Sequence, residues 1–495
     1  MAEQVRVTLS NRVAEFEYPF PPELKGYFRF LVPNHRFMPK FKAGMWDGMI
    51  SLMRGSRVAA GLFLALKDGI AQEEKFEFLI DDRRKSPEFS PRVWERVRIP
   101  GIEEIRPYQK DAVESIIRAA QTGGLVLNAT GSGKTLIAGL VFRHLQGRGV
   151  FIVDELTLMY QAQDELAKVT GEPVGILGES RFSPERITVA TVQTLHKHAQ
   201  KPRYRNLTEP EVMFIDEVHL ALNARQFEVA KSFRPKAMFG LTATLQLRRD
   251  SVRLPAMALC GPKLFDYSYT TGVKEKVLAP GVVVGVDLIR DFEDSGIQDY
   301  HGLYRVAIVH SRERNDLIEA LVREAYRRGK AIILLVERVN HIKRLSERLR
   351  NIPHETVFGE RKAIERIEAK GAFEAGEIRL MICNKVFKKG INLRRVDLMI
   401  DAAAMKNPND AVQKFGRGVR LSSTKDGLIY LDIGERSPEG QPKFNPFASA
   451  TRSRRKALVQ VGIPIVRYRA RSGAPVILDK AEAELQRIIS GRSAG

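Results

Sequence analysis

Residues 125–135 read LVLNATGSGKT, and the order of those residue types decides the fold. The run Leu125-Val126-Leu127 has the character of a buried strand. A turn with two glycines follows, and Lys134 and Thr135 then open a helical pattern, LIAGLVFRHL. Backbone N–H groups of such a turn can wrap phosphate oxygens, at the positive end of the helix that follows. Gly131 and Gly133 let the backbone approach without a Cβ in the way. Lys134 is expected to reach the β and γ phosphates of ATP and Thr135 to hold Mg²⁺, with Thr130 and Ser132 completing the loop. The general pattern starts with Gly; here Asn128 stands at that place.

Around this loop the chain alternates apolar strands with helical patterns. Residues 98 to about 280 give LVLN, GVFIVD, ITVAT, VMFID and MFGLTAT. Residues 281 to about 435 repeat the logic with AIILLV, RLMIC, VDLMID and GLIYLD. Such alternation predicts a parallel sheet covered by helices, here twice in series. Residues 1–97 mix short alternating runs with aromatic clusters. From 436 the chain is rich in Pro, Ser and Arg, with Arg452, Arg454, Arg455 and Lys456 close together.

A phosphate loop needs a metal-binding acid at the end of a second strand. Val212-Met213-Phe214-Ile215 is that strand, and Asp216-Glu217-Val218-His219 ends it. Asp216 is expected to orient Mg²⁺ and Glu217 to polarise the attacking water. Upstream, Arg106-Pro107-Tyr108-Gln109 offers an amide with both a donor and an acceptor, suited to the edge of adenine. In the second α/β segment, QKFGRGVR at 413–420 spaces Gln413, Arg417 and Arg420 for one face of a helix. Arginines supplied from outside the phosphate-loop domain stabilise charge on a transferring phosphoryl group.

The 495 residues are 44% hydrophobic, enough for several cores and about three domains. The 80 Lys+Arg against 59 Asp+Glu leave a net charge of +21, so a polyanion is the natural partner. No apolar window approaches the roughly 20 residues of a membrane span. The start lacks a basic-then-apolar leader, so a cytoplasmic protein is expected. Two distant cysteines, Cys260 and Cys383, predict buried thiols rather than a zinc site or disulfide framework.

NATGSGKT, DEVH, Thr242-Ala243-Thr244 and QKFGRGVR, in this order, resemble motifs I, II, III and VI of superfamily 2 helicases. The resemblance spans about 98–435. It implies an α/β fold of two RecA-like parallel-sheet domains in tandem (98–280 and 281–435), with ATP in the cleft and nucleic acid crossing both. A small α+β amino-terminal domain (1–97) precedes them and a short basic carboxy-terminal segment (436–495) follows. It further implies that Gln109 recognises adenine, that Thr242, Thr244 and His219 couple the ATP state to strand contact, and that Arg417 and Arg420 are arginine fingers. Thr191 and Gln193, in Thr191-Val192-Gln193-Thr194, resemble a strand-contact motif and equally an ordinary strand end. Lys388-Lys389-Gly390-Ile391-Asn392 resembles motif V, with Gly390 and Asn392 near the nucleotide and Lys389 toward a strand phosphate. Two departures are Asp154-Glu155, where a phosphate-binding hydroxyl is usual, and Leu245, where proline is usual.

Residues 36–48, RFMPKFKAGMWDG, resemble the amino-terminal domain of the phage UvsW recombination helicases. The segment Phe444 to Tyr468 resembles the end of that family. Phe37, Phe41 and Trp46 are expected chiefly as the core of a small domain. Arg36, Lys40 and Lys42 suit nucleic-acid contact or a solvated face, and the flat faces of Phe37, Phe41 and Trp46 are the alternative candidates for base stacking. What the resemblance implies is an ATP- and Mg²⁺-dependent DNA helicase or translocase acting on branched, duplex or single-stranded DNA and on RNA–DNA hybrids. The minimal motor is a monomer, in a host bacterial cytoplasm if phage-encoded. Single-strand-binding or recombination proteins are candidate partners. Alternatives are a duplex translocase subunit of a restriction or repair complex, an ATP-switched annealing protein and an RNA helicase.

Overall fold

The computed structural model describes all residues except 1–2, 155, 179–180, 199–200, 223–226, 228–229, 231–232, 244–248, 291–298, 360–362, 385–394, 405–406, 423–424, 439–444 and 491–495. The chain divides into two compact units, 1–128 with 133–267, and 129–132 with 268–495.

The first unit holds an eight-stranded sheet. Its order is Arg181–Ser183, Val174–Gly178, Ile187–Thr191, Gly149–Val153, Val212–Asp216, Ala237–Thr242, Gly124–Asn128, Lys263–Tyr267. Every pairing is parallel except that of the edge strand Arg181–Ser183. Its inner strands are near-continuous buried apolar runs, as in parallel sheets covered on both faces, while the edge strands Arg181–Ser183 and Lys263–Tyr267 carry polar, exposed residues. Val174–Gly178 and Lys263–Tyr267 were not anticipated. One is glycine-flanked, and the other carries Lys263 and Asp266, which mask its apolar character.

The amino-terminal segment builds a separate four-stranded sheet, Arg57–Ala59, Val13–Phe16, Glu3–Leu9, Phe76–Asp82. The helix Ala60–Glu74 carries its buried Leu62 and Phe63 into the same apolar cluster as Leu254, Ala258 and Leu259 of the helix Asp250–Leu259. Gly61 permits this approach: a Cβ there would lie 2.7 Å from the Gly261 backbone. Asn11 adds a polar tie, its amide donating to the Lys85 and Lys236 carbonyls at 2.7 and 2.8 Å.

The second unit holds a seven-stranded, all-parallel sheet. Its order is Glu355–Val357, Leu380–Cys383, Ile332–Leu335, Leu398–Asp401, Leu428–Arg436, Gly281–Ile289, Ile465–Arg469. The segment from 436, expected as a basic extension, is instead part of this sheet's layers. It supplies the edge strand Ile465–Arg469 and the helices Pro446–Gln460 and Ala474–Ile489.

Two arginines of the basic run are buried for a local reason. Arg454 donates to Asp432 Oδ1 at 2.8 Å, and Arg455 reaches Asp432 Oδ2 and Asp287 Oδ1 at 2.7 and 2.5 Å. Gly285 and Gly434 make the room. A Cβ at either would lie 2.6 Å from the Arg455 guanidinium. Arg452 and Lys456 of the same run remain exposed.

Candidate functional site

In the first unit, three neighbouring strands end at one edge of the sheet. Gly124–Asn128 leads into the glycine turn, Val212–Asp216 ends in the acidic pair, and Ala237–Thr242 ends in Thr242. Parallel pairing puts all three carboxyl ends on the same side, which is where open α/β sheets bind ligands.

The turn has the backbone its glycines predict. Gly131 has φ of 90° and Gly133 of 85°, a region closed to most side chains. Gly133 is the N-cap residue of the helix Lys134–His144, so Lys134 and Thr135 stand in its first turn. The Ser132 N–H donates to the Ala129 carbonyl at 3.2 Å and shapes the bend. Asn128 is buried at the strand end, and neither amide atom has a hydrogen-bond partner among the described residues.

Glu217 is the hub of the site. Its Oε1 stands 3.4 Å from Lys134 Nζ. Its Oε2 accepts from Thr242 Oγ1 at 3.1 Å and lies 3.3 Å from His219 Nδ1. His219 Nδ1 and Thr242 Oγ1 are themselves 3.0 Å apart. Glu217 has φ of 48°, an unusual left-handed setting for a glutamate, of the kind that collects at functional sites.

Electrostatics separates the two carboxylates. Burial, with the Glu217 charge alongside, raises the Asp216 carboxyl well above the usual range. Burial acts on Glu217 in the same sense, but Lys134 and His219 outweigh it and hold that carboxylate low. Asp216 Oδ1 is buried without a hydrogen-bond partner among the described residues. A buried carboxylate oxygen so placed suits a divalent cation. Among the described residues there is no cluster of three or more His, Cys, Asp or Glu that could hold a metal. Mg²⁺ needs none, since it takes one or two protein oxygens and completes its shell with phosphates and water.

Gln109 lies beside the turn: a Cβ on Gly133 would be 3.0 Å from its Nε2. Its Oε1 accepts the Arg106 N–H at 3.0 Å, and its Nε2 donates to Tyr108 Oη at 3.1 Å. Tyr108 in turn stacks on Tyr267, with ring centroids 3.9 Å apart. Sequence reading had no reason to single out Tyr267, because that pairing joins residues 159 positions apart.

Thr191 is buried and spends its hydroxyl on Thr194 Oγ1 at 2.9 Å, at the start of the helix Val192–His198. Gln193 is exposed and donates to the Asp154 carbonyl at 2.8 Å. This ties the segment resembling a strand-contact motif to Asp154, one of the departures from the family pattern. Thr244, Lys388, Lys389, Gly390 and Asn392 lie outside the described residues.

In the second unit, Gln413 and Arg417 ride on the helix Pro408–Gly418. Arg420 does not share that helix face, contrary to expectation. The helix ends at Gly418, the Val419 carbonyl accepts the Ala279 N–H at 2.7 Å, and Arg420 forms a bridge with Leu278. Lys414, which the sequence reading passed over, anchors this helix. Its Nζ lies 2.7 Å from Asp401 Oδ2, the oxygen that also accepts from Tyr430 Oη at 2.6 Å. Burial opposes a charged Asp401, yet Lys414 wins and its carboxyl sits below the usual range.

Arg36, Lys40 and Lys42 are exposed on the loop between the strands Arg29–Leu31 and Met49–Ser51. Trp46 is half-buried, with Nε1 donating to the Met49 carbonyl at 2.7 Å. Phe37, expected in a core, is 76% exposed because it sits on the outer side of that loop.

Three families match the chain. Residues 9–81 match the amino-terminal domain of DNA helicase UvsW, 102–247 the res subunit of type III restriction enzymes, and 313–422 the helicase conserved C-terminal domain. The ATP-dependent DNA helicase uvsW of Enterobacteria phage T4 is 23% identical over 83% of this chain and 86% of its own. The DNA 3'-5' translocase XPB2 of Sulfurisphaera tokodaii is 23% identical over 66% of this chain and 81% of its own. The first three curated relatives are matched over 64%, 51% and 52% of their length. Among solved structures, S. cerevisiae Dbp5 bound to RNA and ADP BeF3 superposes with a TM-score of 0.52 at 14% identity, covering 78% of this chain and 94% of its own. The type ISP restriction-modification enzyme LlaBIII bound to DNA gives 0.57 at 16% identity, covering 86% of this chain and 36% of its own. Both likenesses concern the fold.

Proposed function

We propose that the chain is an ATP-dependent DNA helicase of superfamily 2 that remodels branched DNA, supported by the three helicase-related family matches and by the likeness to phage uvsW. Its work on that reading is branch migration, fork regression and dissociation of RNA–DNA hybrids. The observation that most supports its ATP-dependent part is the joining of Lys134, Glu217, Thr242 and His219 into one hydrogen-bonded and ionic cluster. Lys134 and the turn 129–133 hold the phosphates of ATP. Thr135 and Asp216 hold Mg²⁺, which when bound neutralises charge on the β and γ phosphates. Glu217 takes the proton of the attacking water. Arg417 and Arg420 stabilise charge on the transferring phosphoryl group. Thr242 and His219 touch the same carboxylate, so a shift in either element alters the catalytic base.

The test is ATP hydrolysis with a four-way DNA junction, matched linear duplex, single-stranded DNA and single-stranded RNA as additives. Stimulation by the junction above linear duplex supports the reading. Stimulation by RNA alone overturns it. A second reading, a translocase that pumps duplex without separating it, is favoured by the match to a restriction-enzyme subunit at 102–247. Equal stimulation by linear duplex, without strand products, distinguishes it.

A further inference from the structure

The antiparallel strands Arg29–Leu31 and Met49–Ser51 enclose the loop 32–48, and its base is fixed. The Val32 N–H donates to the Gly48 carbonyl at 2.9 Å. Asp47 Oδ1 accepts the Met49 N–H at 2.9 Å, beside the Trp46 bond to the Met49 carbonyl. Gly48 has φ of 83°, and a Cβ there would lie 2.8 Å from the His35 ring. His35 in turn packs edge-on to Phe41, centroids 4.6 Å apart. The residues most like the family, Trp46-Asp47-Gly48, therefore brace the loop from within.

The outer part is shaped too, by a helical turn at Pro39–Lys42 and a Met45 N–H to Lys40 carbonyl bond at 3.0 Å. On this frame Phe37 is 76% and Met45 73% exposed, with Met38 between Phe37 and the turn also exposed. Several large apolar groups exposed on one shaped loop mark a contact surface. Arg36, Lys40 and Lys42 are interleaved with them and exposed, and the only acid in 32–48 is Asp47, which caps the hairpin. Lys40 and Lys42 among the apolar groups disfavour a protein interface, where lysine is depleted. They suit a nucleic acid, whose bases offer flat faces and whose backbone offers phosphates.

We propose that loop 32–48 is a stacking knuckle: Phe37, with Met45 exposed on the same loop, takes the face of an unpaired base where a DNA duplex opens, and Arg36, Lys40 and Lys42 hold the adjoining phosphates. This deepens the DNA-helicase reading and rests on it. Of the three aromatics, it assigns Trp46 and Phe41 to bracing the loop and leaves base stacking to Phe37.

The test uses full-length protein and a duplex with single-stranded tails, carrying 2-aminopurine at the first unpaired position. A blunt duplex of equal length is the control. In the double variant Phe37→Ala, Met45→Ala, affinity for the forked probe should fall roughly tenfold, and the fluorescence change on binding should vanish. Affinity for blunt duplex, basal ATP hydrolysis and the thermal midpoint should hold. Lys40→Ala with Lys42→Ala should weaken fork and blunt duplex alike and lower the salt dependence of both. Unchanged fork binding in the Phe37 variant, or equal loss on both probes, overturns the knuckle. A wild-type protein that shows the fluorescence change but never separates strands overturns the helicase reading and leaves the knuckle standing.

Discussion

Lys134 Nζ stands 3.4 Å from Glu217 Oε1, so the proposed phosphate-binding cation and the proposed catalytic base are direct partners. A phosphate brought to Lys134 competes with Glu217 for the same ammonium. Lys134→Ala should therefore abolish hydrolysis by weakening nucleotide binding itself. Glu217→Gln should still bind ATP and lose turnover by roughly 10²-fold or more, as expected for a lost general base. Steady-state hydrolysis paired with binding of a fluorescent nucleotide separates the two. Equal loss of binding in both variants would remove Glu217 from the chemistry.

Thr242 and His219 meet at 3.0 Å and share Glu217 Oε2. Thr242→Val keeps the shape and removes the hydroxyl. It should leave nucleotide affinity near normal while DNA stimulation of hydrolysis falls several-fold, since one hydrogen bond of about 1 kcal/mol is lost. Stimulation equal to wild type would show that this cluster carries no coupling.

Arg417 lies in the last turn of the helix Pro408–Gly418, which Lys414 pins to Asp401. As an arginine finger it is worth about 10³-fold or more in kcat, so Arg417→Ala should lose turnover on that scale with ATP affinity retained. Arg417→Lys should recover little, because a point charge does not reproduce the planar fork. Wild-type kcat in either variant would end the assignment.

Arg454 is buried against Asp432. Removing one partner of such a pair leaves an uncompensated charge, so Arg454→Ala should destabilise the second unit by about 3–5 kcal/mol. Arg452→Ala, on the exposed side of the same helix, should stay within about 0.5 kcal/mol. Urea midpoints of the two variants measure this directly, and similar midpoints would contradict the buried network.

His341 is buried with Nε2 2.8 Å from Asn315 Oδ1, and burial, helped by Arg314, Arg344 and His310, pushes its pKa down to about 3. A histidine lowered on folding is neutral in the folded state. Its contribution is complete above its ordinary 6.5 and is lost as pH falls from there toward 3. The wild type should therefore lose stability faster than His341→Gln between pH 7.5 and 5. Parallel losses in the two proteins would refute the effect.

The sequence made the backbone of the candidate site legible because phosphate chemistry restricts residue type tightly. A glycine turn, a lysine and a strand-end acid have few other uses in that order, and Gly131, Gly133, Lys134 and Asp216 all take their expected backbone places. Features that depend on distant packing were not legible. Arg454 and Arg455 read as a basic tail because the notch that receives Arg455 is cut by Gly285 and Gly434, on two other strands. Arg420 reads as helical by spacing, but a bridge to Leu278 takes it off the helix. Phe37 was expected inside because aromatics usually are, and only the bracing of its loop puts it outside.

The central claim is that ATP hydrolysis here drives strand exchange at a DNA branch. Its most direct test is conversion of a fluorescently labelled four-way junction to its product arms, followed in real time with purified full-length protein. The reading predicts product formation that requires hydrolysable ATP and Mg²⁺ and is absent with Lys134→Ala. ATP turnover stimulated by the junction with no strand products would contradict it.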